Sequence, residues 1–142
     1  MEHVPQIPHW PDRMERRGLM DALDRAHAIV WFDPSGQVVD GNENALGLFG
    51  LSLDGFLAQD HFSLCRESRV ESIAARREWG RIVAGEQVHT ERNFYRSDGQ
   101  RIWSSAVYAA IKREDGTTRR VIAIIIDLTR LAWNPRMLER II

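Results

Sequence analysis

Two Asp-Gly pairs constrain this chain more than any other feature. Ser97-Asp98-Gly99 and Glu114-Asp115-Gly116 each stand between runs rich in β-branched and aromatic residues. A tight turn whose hand matches strand twist needs positive φ, which Asp and Gly accept, so Asp-Gly between such runs signals a hairpin. Three strands, Gln87 to Arg96, Arg101 to Lys112 and Thr117 to Asp127, therefore form an antiparallel meander in the C-terminal half.

The N-terminal half is less regular. Ala28 to Phe32 is β-branched and aromatic, Asp33-Pro34-Ser35-Gly36 presets a turn, and Gln37 to Asp40 resumes an extended pattern, which gives a first hairpin. Between Asn42 and Leu64 short apolar clusters are interrupted by Gly47, Gly50 and Gly55, which limits them to small helices and turns. Glu67 to Ala84 is the one long helical stretch, with Val70, Ile73, Ala74, Trp79, Ile82 and Val83 on its apolar side and Gly85 as its stop. Ahead of the first hairpin, Leu19, Met20, Leu23 and Ala26 recur at three and four, and Asp12 suits an N-cap, so residues 13–27 read as an amphipathic helix. Residues 1–12 hold Pro5, Pro8 and Pro11 without periodicity and read as an extended tail. The core is expected over 28–129 and an exit segment over 130–142, where Pro135 limits helix.

Composition narrows the function classes. At 142 residues the chain has material for one domain, and 44% hydrophobic with 27% charged residues excludes disordered and fibrous classes. A formal net charge of -1 offers no general field for nucleic acid or an anionic membrane. Cys65, the single cysteine, allows no intrachain disulfide. The longest apolar run, Val121 to Ile126, falls well short of the roughly 20 residues a membrane span needs, and no secretory signal opens the sequence. A cytoplasmic protein with neither nucleic-acid nor membrane partners is the expectation.

A helix, two strands, small helices, one longer helix and a three-stranded meander make an α+β fold, with helices grouped on one face of a five-stranded antiparallel sheet. With Ile29-Val30-Trp31-Phe32-Asp33-Pro34-Ser35-Gly36, Asp40-Gly41-Asn42-Glu43-Asn44-Ala45, Leu48-Phe49-Gly50-Leu51-Ser52, Ser97-Asp98-Gly99, Trp103 and Asp127-Leu128-Thr129 in this order, the chain resembles the PAS domain over about residues 20 to 130. The likeness is to PAS sensory domains of soluble bacterial chemoreceptors and aerotaxis transducers. It implies sensing and relay to an output domain or signalling partner, without catalysis.

The resemblance lets cofactor sites be tested residue by residue. Where the light-sensing LOV branch has Asn-Cys-Arg-Phe-Leu, this chain reads Asp60-His61-Phe62-Ser63-Leu64, so the thiol position holds His61. Redox flavin binders share a tryptophan like Trp79 but place an asparagine on the next strand where this chain has Phe94; Asn93 is one residue off and so on the other face. Ser104 stands where LOV-type binders carry an amide, and its hydroxyl can bond a ring edge. Haem-binding relatives take an axial histidine from the helices, and His61 is the candidate there, the only metal role expected of it. The order of expectation is no tightly held cofactor, then flavin as FAD, then haem b. A pocket for a possible small-molecule ligand would be lined by Val30, Phe32, His61, Trp79, Phe94, Ser104, Tyr108 and Ile125. His61 and Cys65, four apart, fit one helical face as a thiol and its base, as two ligands of an incomplete metal site, or as unrelated residues.

Strand alternation speaks to partners. Ile102, Ser104, Ala106 and Tyr108 face one way and Trp103, Ser105, Val107 and Ala109 the other; Ala123 and Ile125 oppose Ile122, Ile124 and Ile126; Val30 and Phe32 oppose Ile29 and Trp31. Both faces are apolar, so both need cover. The outer face, with Trp31, Trp103, Val107, Ile124 and Ile126, is expected to be covered by the N-terminal helix through Leu19, Met20 and Leu23, either on its own sheet or exchanged in a homodimer. Two other readings stand beside the sensor: a small cone-shaped enzyme of the NTF2-like kind, and a PAS interaction module with a filled core and no ligand.

Overall fold

The computed structural model describes residues 12–66 and 69–129. The expected tail before Asp12, the exit segment 130–142 and the first two residues of the expected long helix lie outside the described residues.

The elements in order are α1 (Arg13–Ala26), β1 (Ala28–Phe32), β2 (Val38–Gly41), α2 (Glu43–Phe49), α3 (Leu53–Leu57), α4 (His61–Cys65), α5 (Arg69–Val83), β3 (Val88–Tyr95), β4 (Arg101–Lys112) and β5 (Thr118–Asp127). The strands form one antiparallel sheet in the order β2-β1-β5-β4-β3, so the last strand of the meander lies beside the first of the chain. Gly99 (φ 89°) and Gly116 (φ 88°) take the left-handed turn positions of the two Asp-Gly hairpins. In the second, the Asp115 carboxylate accepts from both the backbone N–H and the hydroxyl of Thr117.

The first hairpin is shorter than its sequence pattern suggests. β2 begins at Val38, because Gln37 is drawn into a bridge with Asp60 and its side-chain amide donates to the Leu57 and Gln59 carbonyls. The inserted turns begin on matched caps: Asn42, Ser52 and Asp60 accept from the third residue of α2, α3 and α4, respectively. Gly50 (φ 68°) closes α2, and α4 carries a reciprocal capping box between Asp60 and Ser63.

Register fixes which side chains meet the helices. Val30, Phe32, Phe94, Ile102, Ser104, Ala106, Tyr108, Val121, Ala123 and Ile125 are buried on the inner face, where they pack with Ala45, Phe49, Phe56, His61, Leu64, Trp79 and Ile82. At about 1.5 to 3 kcal/mol per large apolar side chain, this layer supplies most of the driving force for folding.

Among the described residues the outer face has no such cover. No residue of α1 is buried, Leu19 and Met20 are 53% and 49% exposed, and Leu23 is half-buried. Among the described residues α1 is tied down by its C-terminal end, and Leu19, Met20 and Leu23 are not buried against their own sheet. Asn42 Nδ2 donates to the carbonyls of Asp24 and His27, and Asn44 Nδ2 to those of Asp24 and Arg25, which satisfies the C-terminal turn that a helix otherwise leaves open. Asn42 Oδ1 meanwhile accepts from Ile29 N and Ala45 N. One side chain thus joins α1, β1 and α2.

Replacement of Asn42 by alanine removes an N-cap and two carbonyl partners together. We expect Asn42→Ala to lose about 2 kcal/mol by urea unfolding and to deprotect the α1 amides in hydrogen exchange ahead of the strands.

Candidate functional site

The inner layer contains a polar cluster built from four elements, α4, α5, β3 and β4. His61 opens α4, where the Asp60 cap fixes the backbone and the side chain is driven inward at 1% exposure. Its Nε2 shares a hydrogen bond of 2.9 Å with the hydroxyl of Tyr108 on β4, and Cys65 Sγ, one turn along α4, lies 3.8 Å from the same nitrogen. Nδ1 is buried with no hydrogen-bond partner among the described residues.

Aromatic rings box in this imidazole. Trp79 of α5 stacks on it at 4.9 Å between centroids, while Phe32, Phe62, Phe94 and Tyr108 meet it edge-on at 5.3 to 6.3 Å. Trp79 is held in place by donation from Nε1 to the Pro34 carbonyl, 2.8 Å away in the β1–β2 turn. The polar end of a large side chain is thereby satisfied while its face fills the core.

On β3, Arg92 faces inward two residues before Phe94. Its guanidinium lies 5.2 Å from the centre of the Tyr108 ring and is paired with Glu78 of α5. Burial opposes the charge of Arg92, but Tyr108, Cys65 and Glu78 outweigh it and hold its pKa above the ordinary value. Burial, with the nearby Arg92 charge, pushes His61 down to about 3. His61 is neutral near pH 7. It can accept or donate a hydrogen bond, but it is mistuned for acid–base catalysis there.

The structure brings His61, Trp79, Phe94 and Tyr108 together, with Phe32 and Val30 in the same layer. Ser104 and Ile125 are buried on the same inner face. The Ser104 hydroxyl donates to the Arg92 carbonyl across the β3–β4 pair, so the bond expected toward a ring edge is already used by backbone. Ile125 also borders a surface groove between the end of α1, α2 and the end of β5. Asn93 is exposed and pairs with Trp103 in register, on the face away from the cluster. Sequence reasoning missed Arg92 and Glu78. The signal was present, since a charged residue at an inward strand position requires a partner.

Flavin and haem fit these residues poorly as they pack. A planar ring inserted between two others needs about 7 Å, and His61 sits against Trp79 at 4.9 Å with Tyr108 already on Nε2. No group of three or more His, Cys, Asp or Glu side chains suited to a metal ion occurs among the described residues.

The depressed pKa of His61 has a calculable consequence. The unfolded chain takes up this proton near pH 6.5 and the folded chain only near 3, so stability is lost as pH falls through that window. We expect a loss of about 2 kcal/mol between pH 7 and pH 5 from this group, read by urea unfolding, and a correspondingly flatter pH profile in His61→Gln.

Comparison with known proteins matches this geometry to a family. A PAS domain model matches residues 27–130. The biofilm dispersion protein BdlA of Pseudomonas aeruginosa is 34% identical over 120 residues, which cover 84% of this chain and 29% of that protein. The chain thus spans less than a third of the length of that relative. Among solved structures, a domain of a sensory box sensor histidine kinase/response regulator from Geobacter sulfurreducens superposes with a TM-score of 0.67 at 26% identity, over 82% of this chain and 97% of that one. A PAS domain from Colwellia psychrerythraea (TM-score 0.67, 23% identity, 84% and 99% covered) and an RNA-binding light-oxygen-voltage receptor (0.69, 21%, 99% and 41%) share the fold. No helix among the described residues is long and apolar enough to cross a membrane. With its sheet order, its helical layer and a buried aromatic cluster between them, the chain belongs to the PAS domain family and is a sensory module of signal transduction.

Proposed function

We infer that this module senses through the cluster around His61 and reports through the open face of its sheet, where a second copy of the chain completes the fold. The observation that carries this reading is the uncovered outer face. Trp103 and Ile126 are 36% and 40% exposed, and Trp31, Val107 and Ile124 are half-buried beside them. Neighbouring register pairs, Trp31 with Ile122 and Val107 with Ile124, make these residues one stripe across β1, β5 and β4. A stable monomer rarely leaves such a stripe to water.

The partner is argued from the chain itself. α1 presents Leu19 and Met20 unburied, and the sheet presents an apolar centre rimmed by Glu91, His89, Arg101 and Arg120. Two copies supply each other with the missing layer, and a self-complementary surface of this kind suits two-fold pairing. A change in the packing of Phe32, Tyr108 and Phe94 on the inner face moves the same strands whose outer residues make the dimer. That is a population shift between two packings, passed on to an output domain or signalling partner. The likeness to sensory domains and the neutrality of His61 support a non-catalytic role, and the sheet order, with two strands ahead of the helical layer, tells against the NTF2-like enzyme. The PAS module without any ligand remains the second reading, favoured by the close ring packing. The near-balanced charge continues to favour a protein partner over nucleic acid or membrane, in a cytoplasmic setting.

Light scattering on the purified chain at high micromolar concentration should give a dimer, and Ile124→Glu a folded monomer by circular dichroism. A wild-type monomer overturns the dimer reading. We also expect no absorbance band between 300 and 700 nm after expression with haem and riboflavin supplied. A band near 400 nm lost in His61→Ala, or paired bands near 370 and 450 nm, would instead make the module a haem or flavin sensor.

A further inference from the structure

We propose that the groove between α1 and the β1–β2 edge of the sheet receives the first half of α1 from a second copy of the chain, so that the two α1 helices pack antiparallel. This contact rests on the dimer reading above and sets its register.

α1 is charged in the wrong sense for a helix on its own. Arg13 and Arg16 stand in its first turn, Arg17 follows, and Asp21 and Asp24 stand in its second half, with Glu15 and Arg25 placed the other way. A helix dipole favours carboxylates at the start and cations at the end. Arg13, Arg16, Arg17, Asp21 and Asp24 are all exposed, and none is in an ion pair among the described residues.

Four residues turn this pattern into a stripe. Arg13, Arg17, Met20 and Asp24 recur at four, three and four, which places them one above another along the helix. Turned end for end, the stripe matches itself: Arg13 of one copy falls opposite Asp24 of the other, and Arg17 opposite Met20. The two-fold axis that a homodimer requires passes between Arg17 and Met20. Met20, 49% exposed in the single chain, then meets the aliphatic stem of an arginine in place of water.

The receiving surface is shaped to match. Met20 and Asp24 of α1, Trp31 of β1, Asp40 of β2 and Glu43 of α2 line one groove, in which Arg25 is the one cation against three carboxylates. Asp24, Asp40 and Glu43 are exposed and in no ion pair among the described residues. Asn42 ties the end of α1 to α2, so these carboxylates are gathered before anything binds. A guanidinium forks onto carboxylates and lies well on an indole, which suits this lining to an arginine-bearing helix. Trp31 also belongs to the open stripe of the sheet, so the groove is continuous with the face buried in the proposed dimer.

Charge exchange between copies tests the contact. One chain carries Arg13→Glu with Arg17→Glu, another Asp24→Arg with Asp40→Arg, and each is measured by sedimentation velocity alone and in an equal mixture, beside wild type. Alone, each reversed chain sets like charges against like, and we expect its dimer dissociation constant to rise by about tenfold or more. In the mixture an acidic helix start meets a basic groove at one contact and a basic start meets an acidic groove at the other, so a heterodimer forms within about threefold of wild-type affinity. All four positions are exposed, and circular dichroism checks that the fold persists. Should a double variant not fold, Arg13→Glu and Asp24→Arg alone repeat the exchange. Reversed chains that dimerise as wild type does, or that stay apart when mixed, overturn the contact and leave the dimer reading standing. A wild-type monomer overturns both, and a shift in its tryptophan emission on addition of a tetra-arginine peptide would assign the groove to a basic segment of another protein.

Discussion

Strand alternation puts apolar side chains on both sides of this sheet, and water is excluded from one side only by the chain's own helices. Everything else follows from how the two faces are treated. On the inner face, α2 to α5 deliver Phe49, Phe56, His61, Leu64, Trp79 and Ile82 onto β1, β5, β4 and β3. On the outer face, Trp103 and Ile126 remain accessible while α1, which has the matching stripe, is held among the described residues by its last turn. A polar outer face would leave α1 without an apolar surface to meet. In the proposed reading the function of the module is tied to this imbalance, because a surface incomplete in one chain would respond to whatever repacks the strands beneath it.

The inner face is not uniformly apolar, and its polar groups are arranged as a chain of dependence. Glu78 offsets Arg92, Arg92 lies on Tyr108, Tyr108 shares its hydroxyl with His61, and His61 is stacked under Trp79 from the same helix as Glu78. The circuit closes on α5. Buried networks of this sort are costly when partly satisfied and specifying when complete, so a change at one member is felt at the others. The neutral state of His61 belongs to this arrangement, since burial disfavours its charge and the neighbouring Arg92 adds to that effect.

Much of this was readable from the amino acids alone. The meander was legible because Asp98-Gly99 and Asp115-Gly116 are local signals with a local cause, and β4 runs over Arg101–Lys112 as its pattern indicates. The inward set Ile102, Ser104, Ala106 and Tyr108 follows from period two. Other features depend on distant contacts. β2 starts at Val38 because Gln37 is claimed by residues twenty positions later. Ser104 spends its hydroxyl on a carbonyl of a neighbouring strand, which alternation alone cannot show. The partnership of His61 and Cys65 was one of several possibilities at a spacing of four, and only the burial of α4 brings the thiol to the ring. Arg92 stands outside the apolar pattern of β3, although its place two residues from Phe94 sets its direction.

Asn42 has a mechanical consequence. The amide nitrogen holds the carbonyls at the end of α1, while the oxygen of the same planar group holds β1 and α2. The group acts as a fulcrum. α1 is 14 residues long, so its far end stands about 21 Å from that point. A tilt of roughly 10° in the Asn42 plane, less than a hydrogen bond's angular tolerance, swings Arg13 through about 4 Å. Displacements too small to disturb the aromatic core thus arrive at the other end of the lever as the width of a side chain.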